Sequence, residues 1–383
     1  MEMGQMPSEP LNLGKSLHLQ SYTAPSSLEP QSSLHDYSRR DFFQFENFYS
    51  KLKNHIMHFQ LRSLVVCSDS LQSGIFYPSM CLHDTHLKQL CRLMADSTVL
   101  EKRAMRLDCI QDSRSLKVSC NSRISCMACS AQRLASGTFE GEVIFQDIED
   151  PENTALVGEY LLTSSVDGIT NCLAFMSFKA ESLFAVNSLC VSLHHRNMAL
   201  WVGDHVDAFM VDYRCPKMLQ SFHVLHGQND YNFCCDWSHT NEPLLITGSQ
   251  DGTMRLWDNR KTTESVYCWN SALGSPIYEL NKKALGGPVI NCTLSHCGDY
   301  VIWAETLDHV GIVLVDDLVN SRPEKHLGLQ SIDFIGKSIG LNSVPIDGCS
   351  EQLVIGINDH PLSGILTYKL ETADKLPQFD FLF

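Results

Sequence analysis

Apolar residues along most of this chain come in short runs, and a turn signal separates each run from the next. In the clearest case, Leu244, Leu245 and Ile246 form one run and residues 254–257 form the next, with Asp251-Gly252 between them. Asp-Gly between two apolar runs is typical of a two-residue hairpin, because both positions tolerate positive φ. No segment has a long amphipathic helical period. The pattern therefore predicts an all-β fold.

The same rhythm recurs along the chain in units that each hold three short strands. These units lie at residues 58–82, 124–145, 186–212, 233–257, 289–316 and 339–369. A fragment of a further unit surrounds residues 168–178, whereas residues 91–120 are poorly patterned and cannot be assigned. Strands joined directly by turns indicate antiparallel sheets rather than βαβ units.

Residues 246–261 resemble the core of a WD40 repeat, the unit of one four-stranded propeller blade. The small residues, the turn and Trp257-Asp258 all lie in register. A blade takes roughly 40–45 residues, so the chain is long enough for one propeller plus tails. The resemblance implies a single WD40 β-propeller over residues 55–371, nominally seven-bladed with one abbreviated blade. We expect residues 1–40, rich in Ser, Pro and Gln, to be a disordered tail and residues 372–383 to be a second tail.

More of the chain resembles a family of WD40 proteins of plants and fungi, whose fungal members carry a domain of unknown function. The matching stretches are residues 42–45, 58–64, 225–233, 246–260, 330–336, 353–359 and 364–366. They follow the family's order and together span about residues 42–370. This resemblance implies a seven-bladed propeller that serves as an interaction platform, and it implies no enzymatic activity.

The chain departs from the family pattern in two places. Between residues 169–171 and 185–187 the family has most of a further blade, which is abbreviated here. At Gln228, WD40 repeats usually have a His that bonds a Ser or Thr, the turn Asp and the Trp. The equivalents here are Thr247, Asp251 and Trp257. A neutral amide both donates and accepts hydrogen bonds, so we expect Gln228 to replace the imidazole in this structural network.

Two segments are candidates for partner binding. Residues 41–54 carry Phe42, Phe43 and Phe45, which form either a strap on the propeller edge or a docking motif for a partner. Trp-Asp-x-Arg at residues 257–260, followed by Lys261, resembles the docking motif of propellers that serve cullin-4 ubiquitin ligases as substrate receptors. Arg260 would insert a planar cation into an acidic or carbonyl-lined groove of the adaptor. Alternatively, Asp251 and Asp258 only hold the blade geometry.

Composition and charge narrow the class of protein. The formal net charge is −15, with 44 acidic and 29 basic residues, which argues against nucleic acid as the main partner. The 16 cysteines fall mostly inside apolar runs, as expected of buried thiols in a reducing compartment, the cytosol or the nucleus. No secretory signal and no apolar run of membrane-spanning length is visible. Cys126 and Cys129, three apart on a strand, face opposite ways and cannot share a metal ion.

The sequence contains no hydrolase motif, no nucleotide-binding loop motif and no zinc-protease motif. We therefore predict a non-enzymatic protein-binding propeller without metal, cofactor or catalytic residues, and the cullin-4 receptor role is our hypothesis for Arg260. A plain scaffold subunit of another intracellular complex is the first alternative. An enzyme with acidic and His side chains at the propeller channel is the second.

Overall fold

A computed structural model describes most of the strand-forming part of the chain. The described residues are 41–50, 63–67, 75–80, 88–95, 105–110, 124–129, 133–139, 142–147, 158–161, 172–173, 186–195, 197–212, 222–241, 243–270, 287–305, 309–320, 329–347, 350–358 and 363–371. The two predicted tails, residues 51–62 of the predicted strap and first unit, and most of residues 168–178 lie outside them.

The described residues form 24 strands and one short helix. In chain order they are β1 (Phe43–Tyr49), β2 (Val66–Cys67), β3 (Ile75–Met80), β4 (Lys88–Ala95), β5 (Met105–Ile110), β6 (Ile124–Cys129), β7 (Arg133–Thr138), β8 (Glu142–Asp147), β9 (Gly158–Leu161), β10 (Val186–Val191), β11 (Met198–Gly203), β12 (Ala208–Asp212), β13 (Phe222–Leu225), β14 (Asn232–Trp237), β15 (Leu244–Ser249), β16 (Thr253–Asp258), β17 (Tyr267–Asn270), β18 (Val289–Leu294), β19 (Tyr300–Glu305), β20 (His309–Leu314), α1 (Val315–Asn320), β21 (Gln330–Asp333), β22 (Lys337–Asp347), β23 (Ser350–Asn358) and β24 (Gly364–Glu371).

Within the described residues, the strands make six four-stranded antiparallel sheets, which we number as blades in chain order. Blade 1 is β2-β3-β4-β5, blade 2 is β6-β7-β8-β9, blade 3 is β10-β11-β12-β13, blade 4 is β14-β15-β16-β17 and blade 5 is β18-β19-β20-β21. Blade 6 has the order β22-β23-β24-β1, so its fourth strand comes from the other end of the described chain. No helix in these residues has the length and apolar character needed to cross a membrane.

The middle strands of blades 4 and 5 are buried at almost every position, because both faces of these two sheets are covered. On β15, Leu244 and Ile246 enter the core shared with blade 5, whereas Leu245 enters the core shared with blade 3. Successive side chains on a strand point to opposite faces, so a sheet between two neighbours needs apolar residues on both. Continuous apolar runs, rather than strict alternation, are the expected pattern for such strands.

Blade 6 is completed by the aromatic segment at the start of the described chain. Strand β1 pairs antiparallel with β24, with Phe43 opposite Leu370 and Tyr49 opposite Ile365. Just before β1, Phe42 is 1% exposed and its ring lies 5.3 Å from that of Tyr300 in blade 5. The segment therefore joins a sheet by backbone pairing and packs into the core with its first aromatic residue.

Three details differ from what the sequence pattern predicts. The poorly patterned residues 91–120 include part of β4 and all of β5, which complete blade 1. The connection between β15 and β16 has three residues rather than two, because Ser249 O accepts from Gly252 N at 3.2 Å and only then does β16 begin. Gly252 has φ of 76°, a conformation that favours glycine. The short helix α1 follows β20 in blade 5.

The abbreviated region is represented among the described residues by Cys172 and Leu173. Cys172 Sγ lies 3.9 Å from Leu189 O on β10, in blade 3. Its thiol is also near enough to Cys126 on β6 to contribute, after burial, to the raised pKa of the Cys126 thiol. Cys172 therefore lies close to the first strands of both blade 2 and blade 3.

Replacing Phe42 by Ala is expected to lower the free energy of unfolding by about 3–5 kcal/mol, because a buried ring is removed from the junction of blades 5 and 6. Phe45→Ala is the matched control. Its ring is 55% exposed and contacts Tyr368 edge-on, so a loss of about 1 kcal/mol or less is expected. Urea unfolding followed by circular dichroism measures both, and equal losses would contradict the proposed anchoring by Phe42.

Candidate functional site

Blade 4 contains a buried hydrogen-bond network that begins at Gln228, four residues before β14. The Gln228 amide donates from Nε2 to Thr247 Oγ1 at 2.8 Å, and Trp257 Nε1 donates to the same oxygen at 2.9 Å. Gln228 is 6% exposed, and Thr247 and Trp257 are fully buried. The amide thus donates the hydrogen bond that the WD40 resemblance assigns to an imidazole.

Two residues that the sequence analysis does not single out, Thr253 and Arg255, extend this network. Thr253 Oγ1 lies 3.0 Å from Gln228 Oε1 and 2.7 Å from Asp251 Oδ1, and Arg255 Nε donates to Gln228 Oε1 at 3.3 Å. Asp251 therefore reaches Gln228 through Thr253. Thr253, Arg255 and Trp257 are spaced by two along β16 and share one face of the strand, so this spacing was a usable signal in the sequence.

The connections between strands divide each blade into two ends. In a four-stranded antiparallel sheet the first and third turns lie at one end, which we call the bottom face, and the second turn lies at the other, the top face. The first strands of neighbouring blades run in the same direction, because contacts join start to start and end to end. Asn187, near the start of β10, donates to Asn232 O at the start of β14. Asp236, near the end of β14, accepts from Leu294 N at the end of β18.

The bottom face of blade 4 carries an exposed ion pair between Asp258 and Arg260. Arg260 Nη2 lies 2.6 Å from Asp258 Oδ2, and Arg260 Nε lies 2.9 Å from Oδ1, so the guanidinium faces both carboxylate oxygens. The Arg260 backbone N–H also donates to Asp258 Oδ1 at 2.9 Å. These hydrogen bonds lower the pKa of the Asp258 carboxyl. The Arg260 side chain is 73% exposed, so this geometry presents an oriented guanidinium to solvent.

The other members of the predicted docking motif are placed differently. Lys261 pairs with the exposed carboxylate of Glu264, while its backbone bridges to Asp258. Trp257 is fully buried in the core between blades 3 and 4, where its ring nitrogen serves the Gln228 network. The surface that a partner can reach is therefore formed by Asp258, Arg260 and Lys261, and Trp257 supports it from inside.

The aromatic segment offers a smaller exposed surface than its sequence suggests. Phe42 is buried, and Phe43 is half-buried with its ring 5.7 Å from that of Tyr368. Phe45 is 55% exposed, and its ring lies 5.5 Å from that of the same tyrosine. Of the three predicted contact residues, Phe45 is the one with a largely accessible ring.

Two carboxylates that local sequence patterns do not reveal tie the bottom turns of neighbouring blades together. Asp236 in blade 4 accepts from Leu294 N and Thr293 Oγ1 in blade 5, and burial raises the pKa of its carboxyl. Glu351 in blade 6 is 3% exposed and accepts from His296 N at 2.8 Å in the turn after β18. The bottom turn of blade 5 is therefore held from both sides by the carboxyl oxygens of Asp236 and Glu351.

Acidic and histidine side chains also meet on the top face. Asp207 Oδ1 lies 2.8 Å from His226 Nδ1 in blade 3, and Glu305 Oε1 lies 3.3 Å from His309 Nε2 in blade 5. Each pair connects residues of a single blade. Among the described residues, no group of three or more His, Cys, Asp or Glu side chains is arranged to hold a metal ion.

Solved structures with the same fold include a chain of the mitotic checkpoint complex and U3-55K. The first has a TM-score of 0.60 at 10% identity and covers 92% of this chain and 100% of its own. The second has a TM-score of 0.57 at 16% identity and covers 83% and 97%. The fold is an all-β WD40 propeller. A scan against protein-family models and a search of curated proteins both found no match. At these identities the WD40 likeness establishes the propeller fold alone.

Replacing Gln228 by Ala is expected to lower the free energy of unfolding by about 1–3 kcal/mol, because the buried hydroxyls of Thr247 and Thr253 each lose one of their two hydrogen-bond partners. Gln228→His should lie within about 1 kcal/mol of wild type, since an imidazole offers one donor and one acceptor. Gln250→Ala is a control on the same blade, at an exposed position. Urea unfolding of the three variants tests this, and equal stability of the Ala variant and wild type would contradict it.

Replacing Arg260 by Ala is expected to raise the pKa of Asp258 toward its ordinary value. Because the folded-state pKa of Asp258 is lowered, its pairing with Arg260 stabilises the protein above the ordinary carboxyl pKa, and this stabilisation is lost as the pH falls through the folded-state pKa. Carboxyl ¹³C shifts recorded across the acid titration report the change directly. Lys261→Ala is the control, since that ammonium pairs with Glu264. An unchanged Asp258 titration in Arg260→Ala would contradict the assignment.

Proposed function

We propose that this propeller is a non-enzymatic protein-interaction scaffold. The observation that carries the proposal is the exposed, carboxylate-oriented guanidinium of Arg260 on the bottom face of blade 4. Planar guanidinium groups are favoured at protein interfaces because they bind carboxylates and carbonyls with directional hydrogen bonds. Rigid blades that display turns on two faces are suited to such binding.

The more specific form of the proposal is a substrate receptor of a cullin-4 ubiquitin ligase. In this role Arg260 enters an acidic or carbonyl-lined groove of the adaptor, with Asp258 fixing its direction and Lys261 adding a second cation nearby. The sequence pattern at residues 257–260 supports this role. A second support is that Asp258 already orients the guanidinium, so Arg260 loses little conformational entropy when a partner binds. Substrates of the ligase would then bind elsewhere on the ring.

A second candidate is a plain scaffold subunit that docks through the outer edge of blade 6. Strand β1 is the edge strand of this sheet, and four of its seven residues are exposed. An edge strand has backbone groups on one side that can pair with a partner strand. The exposed Phe45 ring beside Tyr368 adds an apolar contact to that edge.

The proposal predicts that Arg260→Ala abolishes capture of the purified cullin-4 adaptor by the full-length chain. A loss of at least about tenfold in affinity is expected, since a charge-assisted contact at an interface contributes about 1.5–3 kcal/mol. Biolayer interferometry with immobilised adaptor measures the affinity, and thermal melting confirms that the variant is folded.

Lys369→Ala is the matched control, because it removes another cation that pairs with a nearby carboxylate, Glu371, in blade 6. Adaptor binding that survives Arg260→Ala, or no binding by wild type, would exclude the receptor role. If Phe45→Ala fails to bind a partner protein that Arg260→Ala still binds, the result would instead favour docking through the edge strand of blade 6.

A further inference from the structure

At the junction of blades 3 and 4, the top face is formed by three connections that lie wholly within the described residues. They are residues 204–207 between β11 and β12, residues 226–231 between β13 and β14, and residues 250–252 between β15 and β16. Two large apolar side chains are exposed there, Val206 at 38% and Tyr231 at 46%. This junction therefore offers apolar surface that a partner can cover.

Hydrogen bonds join the three connections into one surface. Asn232, which directly follows Tyr231 and is fully buried, donates from Nδ2 to His205 O at 3.1 Å and to Val206 O at 3.0 Å. On the other side, Tyr231 O accepts from Gln250 N at 2.9 Å. Tyr231 is therefore linked to the top turns of both blades. Its position is fixed before a partner binds, which lowers the entropy lost on binding.

The charge of this surface is negative. Its three connections contain four aspartates and no lysine or arginine. Asp204 is exposed and Asp230 is half-buried. Asn187 Nδ2 donates to Asp204 Oδ1 at 2.8 Å, and Tyr231 N donates to Asp230 Oδ1 at 2.8 Å. Because both donors are neutral, they orient these two carboxylates without cancelling their charge.

Other ionic groups at this junction are engaged with neighbours of their own. Asp207 Oδ1 lies 2.8 Å from His226 Nδ1. Arg255, on β16 of blade 4, donates from Nε to Gln228 Oε1 at 3.3 Å as part of the buried network. We therefore assign the contact with a partner to the two carboxylates described above.

We infer that this surface binds a basic segment of a partner protein. A lysine or arginine of that segment contacts the carboxylates of Asp204 and Asp230, and an apolar side chain next to it packs on Val206 and Tyr231. Charge complementarity selects a basic occupant, because a negative surface attracts cations and repels acidic segments. The face of the Tyr231 ring adds to this preference, since aromatic faces attract cations.

This surface lies on the opposite face of the blades from Arg260. It therefore adds a second binding site to the scaffold function proposed above, on which this inference rests. A protein bound at Arg260 on the bottom face leaves the top face open, so the two sites can be occupied at the same time.

Selection of a displayed library of random 12-residue peptides on the full-length chain tests this inference. Counter-selection uses the double variant Asp204→Asn/Asp230→Asn, which keeps the acceptor oxygens for Asn187 and Tyr231 but removes both charges. The expected result is enrichment of peptides that carry Lys or Arg next to a large apolar residue. Synthetic copies should bind about tenfold more weakly to the double variant and to Tyr231→Ser. Their binding to wild type should also weaken as the salt concentration rises.

The matched control is Asp316→Asn/Asp333→Asn, because it removes two exposed carboxylates of blade 5 and changes the net charge by the same amount. Thermal melting establishes that all variants are folded. The inference would be overturned by an absence of enriched peptides or by enrichment of peptides without basic residues. It would also be overturned if the Asp204→Asn/Asp230→Asn variant bound as well as wild type, or if the control lost as much affinity.

The adaptor assay distinguishes failure of this inference from failure of the proposed function. Arg260→Ala is expected to abolish adaptor capture and to leave the peptide affinity unchanged. The Asp204→Asn/Asp230→Asn variant is expected to show the reverse.

Discussion

The structure depends on the burial of apolar side chains between neighbouring sheets. In the part of the chain that the structure describes, each core cluster draws its buried residues from two blades. Blade 5 shows the arrangement clearly. On β19, Val301 and Trp303 pack toward blade 4, and Ile302 packs toward blade 6. A blade removed from its neighbours would expose both of its apolar faces to water. Each blade is therefore stable only when it packs against the sheets on either side.

This arrangement determines where a binding surface can be built. Polar contacts reinforce the packing at the bottom face, where Asp236 and Glu351 bind backbone N–H groups of adjacent blades. In blade 4, the Gln228 network fixes the strand that leads to Asp258. The ion pair of Asp258 and Arg260 is consequently an exposed group on a rigid base. Rigid supports of this kind reduce the entropy lost when a partner binds.

The fold was largely predictable from sequence, because strands buried on both faces leave continuous apolar runs such as residues 300–304. The network residues Gln228, Thr247 and Trp257 were predictable from their positions in the repeat. The outer strand β5 was not, since it occurs where the sequence lacks a regular pattern. The contacts of Asp236 and Glu351 were also hidden, because their partners lie 58 and 55 residues away in other blades. A local sequence pattern is enough to predict a blade, but it does not indicate which groups form contacts between two blades.

The pairing of β1 with β24 has a consequence for synthesis on the ribosome. Glu46, within β1, bonds to Gln352, 306 residues later in the chain. At about 5–20 residues per second, on the order of 15–60 s pass between the translation of these two residues. During that interval the aromatic strand emerges before the sheet that it will complete. Until then, a newly made chain has an apolar edge segment available to chaperones or to the same segment of a neighbouring nascent chain.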